Sequence, residues 1–135
     1  MRRLFIILAA LLVAACAQDV DRKPAESAVA QFHHRLDAAQ FETIYDDAAP
    51  AFRNGVRKDT FLALLASVHG TLGAVKTAKE KRWSTKLGDS SALLTLDYTT
   101  TFAGGSADER FVWHLEGDNV QLASYQVTSK ALDHN

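Results

Sequence analysis

Apolar residues between positions 24 and 73 recur at helical spacing, and those after Gly73 alternate. Val29, Phe32, Leu36 and Ala39 follow i, i+3, i+7, i+10, the stripe of an amphipathic helix that opens at Pro24 with Glu26 in its first turn. Phe41, Ile44, Tyr45 and Ala48 mark a second helix over about 41–47, which Pro50 terminates. Asn54-Gly55 reads as a turn. A third helix, about 58–69, carries Phe61, Leu64, Leu65, Val68 and Leu72, has Asp59 in its first turn and stops at Gly70 and Gly73.

The alternating part predicts four strands joined by short turns. The first covers about 74–83. Leu94, Leu96, Tyr98, Thr100 and Phe102 alternate along the second, Phe111, Trp113 and Leu115 share a face of the third (about 108–115), and the fourth covers about 120–129. Residues 87–90, Gly104-Gly105 and Gly117-Asp118-Asn119 supply the turns. Helices first and an antiparallel meander second predict an α+β fold, with the N-terminal helices packed on one face of a curved four-stranded sheet. Trp113 and Leu65 are expected to be core residues.

The N-terminus follows neither pattern. Arg2 and Arg3 precede an unbroken apolar run over 4–15, too short for a transmembrane helix, which needs about 20 residues, and suited to a signal h-region. It ends in Leu12-Val13-Ala14-Ala15-Cys16, which resembles a bacterial lipobox. The expectation is a lipoprotein signal peptide over 1–15, lipidation of Cys16, a polar tether over 16–23, one domain over 24–130 and a tail over 131–135. Such a protein is exported and lipid-anchored to the cell envelope, at the outer membrane facing the periplasm in a Gram-negative host, because no Asp follows the cysteine.

Cys16 is the only cysteine, so acylation would leave the domain without a thiol for a disulfide, a metal or a nucleophile. Removing the signal takes Lys+Arg from 15 to 13 against 16 Asp+Glu, a net charge of −3. That balance does not suggest nucleic acid. The one dense basic cluster, Lys76, Lys79, Lys81, Arg82 and Lys86, is broken by Glu80 and reads as a solvated strand face.

Several successions match a known pattern: Gln40-Phe41-Glu42-Thr43-Ile44-Tyr45, Pro50-Ala51-Phe52-Arg53, Phe61, Leu72-Gly73-Ala74-Val75, Glu109-Arg110-Phe111-Val112 and Ser124-Tyr125-Gln126-Val127. Together they resemble the DUF4019 exported bacterial domains, grouped with the cystatin-like and NTF2-like folds. The resemblance implies a fold and no established reaction. Enzymes built on NTF2-like cones place an acidic base and a Tyr or Asp donor inside the cone. A carboxylate beside a tyrosine is therefore the pair to seek, and the candidates are Glu109, Asp97, Tyr45, Tyr98 and Tyr125.

Glu109 is in phase with Phe111 and Trp113, where desolvation would suit it to acid-base work; the alternative places it at the sheet rim, paired with Arg53 or Arg110. His114 falls out of phase with Phe111, Trp113 and Leu115 and shares a face with Arg110 and Val112. His33-His34 cannot chelate one metal together, since adjacent helical residues point about 100° apart, and both are expected at the solvent side or boundary of the first helix. His69 suits a helix C-terminus. The chain has no G-x-S-x-G elbow, phosphate-binding glycine loop, H-E-x-x-H or zinc-ligand spacing, and no cofactor is expected. The expectation is a non-enzymatic binding or accessory module for a protein, peptide or small apolar ligand. Its rival is a small lyase or isomerase using a carboxylate and a tyrosine in the cone.

Overall fold

A computed structural model describes residues 20–133, and the expected signal peptide and Cys16 lie outside them. Four helices precede four strands: α1 (Lys23–Asp37), α2 (Phe41–Asp46), α3 (Pro50–Gly55), α4 (Lys58–Leu72), β1 (Val75–Leu87), β2 (Ala92–Phe102), β3 (Gly105–Glu116) and β4 (Asn119–Thr128). The strands form one antiparallel sheet in the order β1-β2-β3-β4. The helices cover its inner face, and their apolar sides join Leu94, Leu96, Phe111 and Trp113 in a single core.

The helical spacing places α1, α2 and α4 as expected, but it hides α3. Pro50 does more than end α2. It occupies the first turn of α3, where a missing N–H is harmless and a fixed φ fits the helix. Tyr45 holds this short helix down, its hydroxyl lying 2.9 Å from the Arg53 carbonyl and 2.7 Å from that of Val56. α1 also stops earlier than its apolar stripe suggests. Ala39 is exposed and left-handed, with φ 57°, and turns the chain into α2.

Gly73, at φ 75°, ends α4. The hairpin between β2 and β3 folds back onto that end, where the Gly104 N–H donates to the Leu72 carbonyl at 2.8 Å. A Cβ on Gly104 would stand 3.0 Å from the carbonyl oxygens of Thr71 and Leu72, so the approach needs a glycine.

β2 and β3 pair in unbroken register, Leu96 opposite Phe111 and Tyr98 opposite Glu109, and their alternate residues face the helices. In β4 the phase slips: Phe111 faces Tyr125 but Trp113 faces Leu122, which leaves an extra residue between. That bulge turns both Leu122 and Tyr125 inward. β1 carries two irregularities of the same kind, near Lys76 and Lys81, and most of it is exposed. Beyond β4, Ala131 and Leu132 pack against the core and belong to the folded body.

Candidate functional site

α1 presents two buried ridges, Phe32 with Leu36, and Ala25, Val29 and His33 at i, i+4, i+8. The second ridge carries an imidazole into the core. Glu109 comes up from β3 in phase with Ala107 and Phe111, and Tyr125 from β4 just past the bulge. The three meet: His33 Nε2 lies 2.7 Å from Glu109 Oε1, and the Tyr125 hydroxyl donates to Glu109 Oε2 at 2.5 Å. The Glu109 side chain has no solvent exposure.

Aromatic rings wall in this cluster. Phe32 and Phe111 lie with centroids 4.7 and 5.2 Å from the Tyr125 ring, and Phe111 also stands edge-on to His33 at 5.8 Å. Burial, reinforced by the neighbouring Glu109, pushes the Tyr125 phenol well above its ordinary pKa. It therefore remains a neutral donor across the physiological range. Each carboxylate oxygen has one partner, which satisfies the buried acid.

Two sequence-based expectations give way here. His33 is no boundary residue: its neighbour His34 is exposed, but the 100° step between them turns His33 under the helix. Glu109 does not sit at the rim with Arg53 or Arg110. Arg110 emerges on the opposite face of β3, where its guanidinium grips Asp97 at 2.7 and 3.1 Å.

The other candidates separate by the same parity. Asp97 lies on the outer face, outside the cone, with Arg82 also 3.5 Å away, and the adjoining guanidinium of Arg110 holds its carboxyl below the usual range. His114 shares that outer face, half-buried between Leu93 and Gln121. Tyr98 points inward, edge-on to Phe111 at 5.9 Å, its phenol pushed up to about 12 by burial and then by Glu80 and Glu26. Tyr45 is occupied as the clamp on α3. Of the sequence candidates, the structure brings together Glu109 and Tyr125, and it adds His33. The signal for His33 was its spacing of four from Val29 and three from Leu36.

A separate cleft of about 320 Å³ opens between α1, α2 and the β3–β4 edge, and Phe32, Ile44, Leu122 and Trp113 contribute to its wall. Trp113 is 5% exposed, and its buried indole N–H has no hydrogen-bond partner among the described residues. Arg35, also on the wall, is paired with Asp47 at 3.0 Å, while the Asn119 amide donates to Gln121 at 3.2 Å. Among the described residues no group of three or more His, Cys, Asp or Glu side chains could hold a metal ion.

No protein-family model matches the chain, and no curated protein sequence matches it. Among solved structures it is similar to a crystallised NTF2-like protein from Cytophaga hutchinsonii, with a TM-score of 0.50 and 12% identity over 82% of this chain and 99% of that one. A structure from Catenulispora acidiphila aligns with a TM-score of 0.48 and 21% identity over 78% of this chain and 88% of that one. At 12% identity the likeness to the first speaks for the backbone alone: helices followed by an open antiparallel sheet, an NTF2-like α+β fold.

Proposed function

We propose that the chain is an envelope lipoprotein, acylated at Cys16, whose NTF2-like domain is a non-enzymatic binding module for a small, largely apolar ligand. The signal-like run, the lipobox and the resemblance to the DUF4019 exported domains support the anchor. The observation that carries the binding reading is the cleft between α1, α2 and the β3–β4 edge, where Phe32, Ile44, Leu122 and Trp113 stand among polar side chains including Gln31, Arg35 and Gln121. Its volume is at the lower end of small-molecule sites, about 300–1,000 Å³. A ligand would set its apolar body against Phe32 and Ile44 and its polar group toward Gln31, Arg35 or Gln121.

The enzyme reading draws on one specific observation, a buried carboxylate held between a tyrosine hydroxyl and an imidazole. Against it, Glu109 is enclosed by aromatic rings and both its oxygens are engaged, so a substrate would have to displace one partner to reach it. The geometry favours a polar core joint.

Titration of the full chain against a panel of small amphiphilic acids and amides, followed through Trp113 emission and thermal shift, tests the binding reading. Trp113→Phe shortens the aromatic part of the wall and should weaken binding about tenfold. Equal affinity in the variant would remove the indole from the site. Glu109→Gln should leave binding intact, whereas a deletion phenotype reproduced by a folded, abundant Glu109→Gln protein would favour the enzyme. For the anchor, Cys16→Ser should release the protein from the membrane fraction, since two or more acyl chains at about 0.8 kcal/mol per buried methylene hold far better than one.

A further inference from the structure

β1 is the odd strand of the sheet. Among the described residues, strand order leaves one of its edges unpaired and no helix covers most of its length, and it displays five basic side chains against one acid in a chain otherwise rich in acids. It also carries the large exposed apolar residues among those described, Trp83 at 45% and Leu87 at 63%. These divide by face. Trp83 and Leu87 pair with Leu96 and Ala92 and share their inner face, whereas Lys79 and Lys86 pair with Thr99 and Leu93 on the outer one. The strand is thus an exposed edge, apolar-aromatic on one side and cationic on the other.

The N-terminal segment leads to this edge. Arg22 lies 4.5 Å over the Trp83 ring and bonds Glu80 at 2.8 Å, which also neutralises the strand's only acid. Val20 and Asp21 line one cavity with Ala92, the partner of Leu87. Six residue steps separate Cys16 from Arg22, so at no more than about 3.6 Å per step Cys16 lies within about 22 Å of Arg22. The β3–β4 turn also stands near the chain's start, but it carries Glu116 and Asp118 and no large apolar side chain.

We propose that β1 is a membrane-docking edge that lies against anionic lipid headgroups beside the chain's own lipid anchor, Trp83 and Leu87 entering the interface and Lys76, Lys79 and Lys86 meeting phosphates. The inference rests on the lipidated reading above. Those three lysines have no ion-pair partner among the described residues, whereas Lys81 and Arg82 are shared with Asp108 and Asp97. Trp and Leu with Lys is the composition of an interfacial segment, and a tether this short keeps the edge within reach of the surface. Docking would also cover an unpaired strand edge.

The test uses the full-length protein, purified from membranes, in vesicles of phosphatidylglycerol and phosphatidylcholine containing a brominated lipid quencher near the headgroup. Mass spectrometry of its N-terminal peptide reports acylation. The chain has two tryptophans and Trp113 is buried, so Trp83→Phe supplies the unquenched baseline. The expected result is a blue-shifted Trp83 emission, quenched in anionic vesicles and lost at high salt or in Lys76→Glu/Lys79→Glu/Lys86→Glu. An acylated protein whose Trp83 stays unquenched overturns the docking edge and leaves the anchor standing. Quenching that ignores charge reversal overturns headgroup recognition. Trp83 shielded without lipid, together with a concentration-dependent doubling of mass, replaces the membrane with a second copy of the chain. If the peptide carries no acyl group the anchor falls; quenching of that unacylated chain then upholds the edge by itself, and its absence overturns it.

Discussion

Three side chains from three elements meet at Glu109, and the energetics of that meeting are those of mutual satisfaction rather than net attraction. A buried carboxylate is expensive unless each oxygen has a donor, and a buried hydroxyl or imidazole is expensive unless it has a partner. Removing one member strands the others. Tyr125→Phe should therefore cost about 1–3 kcal/mol, because Glu109 Oε2 loses its donor. In a Glu109→Leu background the same change should cost close to nothing, since no acceptor remains. Urea midpoints of the two single variants and the double variant give the coupling directly, and a coupling near zero would mean that the pair is not formed. The sequence pointed to Glu109 through the phase of β3, and to Tyr125 only as one of three tyrosines that the resemblance made candidates. It did not point to their contact, because nothing in local spacing says which helix residue will stand above them.

At the scale of elements, the helical and alternating periods predicted three helices and all four strands, since all but β1 bury one face and the period follows from that. The misses have identifiable causes. α3 has a single buried side chain, Phe52, so six residues show no period to detect, and Pro50 is equally compatible with a stop and a start. β4 obeys two phases, Leu122 in one and Tyr125 in the other, and an alternation broken by one residue reads as weak rather than as bulged. β1 extends to Leu87, past the expected end at Trp83, because its far end is exposed on both faces and offers no hydrophobic rhythm. The strand that the proposed membrane edge depends on is thus the one least visible to a core-seeking pattern.

Across the whole molecule, ionisable groups on opposite sides of the sheet give the stability curve two limbs. Asp97 is held ionised below its ordinary range by Arg110, so its contribution is present above the unfolded carboxyl value, about 3.9, and is lost as pH falls through the lower folded value. The pair is partly exposed, so solvent and salt screen it and its worth is small. Tyr98 and Tyr125 act at the other end. Their phenols titrate higher when folded than the ordinary 10, so stability is full below pH 10 and falls as pH rises toward about 12, where Tyr98 itself ionises. Chemical denaturation across pH should show a shallow acid limb that Asp97→Asn flattens and a steeper alkaline limb that Tyr98→Phe reduces. An unchanged alkaline limb in that variant would place the tyrosine in water.

The contact between His33 and Glu109 spans 76 residues of chain, whereas the hairpins of the meander close across a few. Loop-closure entropy grows with the logarithm of that separation, so the order of assembly follows from connectivity: the hairpins form first, and the first helix swings onto the finished sheet afterwards. The polar joint is then a latch made after the rate-limiting barrier. Weakening it with His33→Gln should speed unfolding and leave the folding rate nearly unchanged, while Leu94→Ala, inside the meander, should slow folding. Denaturant chevrons separate the two outcomes. On this route the protein's lifetime in the folded state depends on a histidine whose sequence context places it at the solvent side or boundary of the first helix.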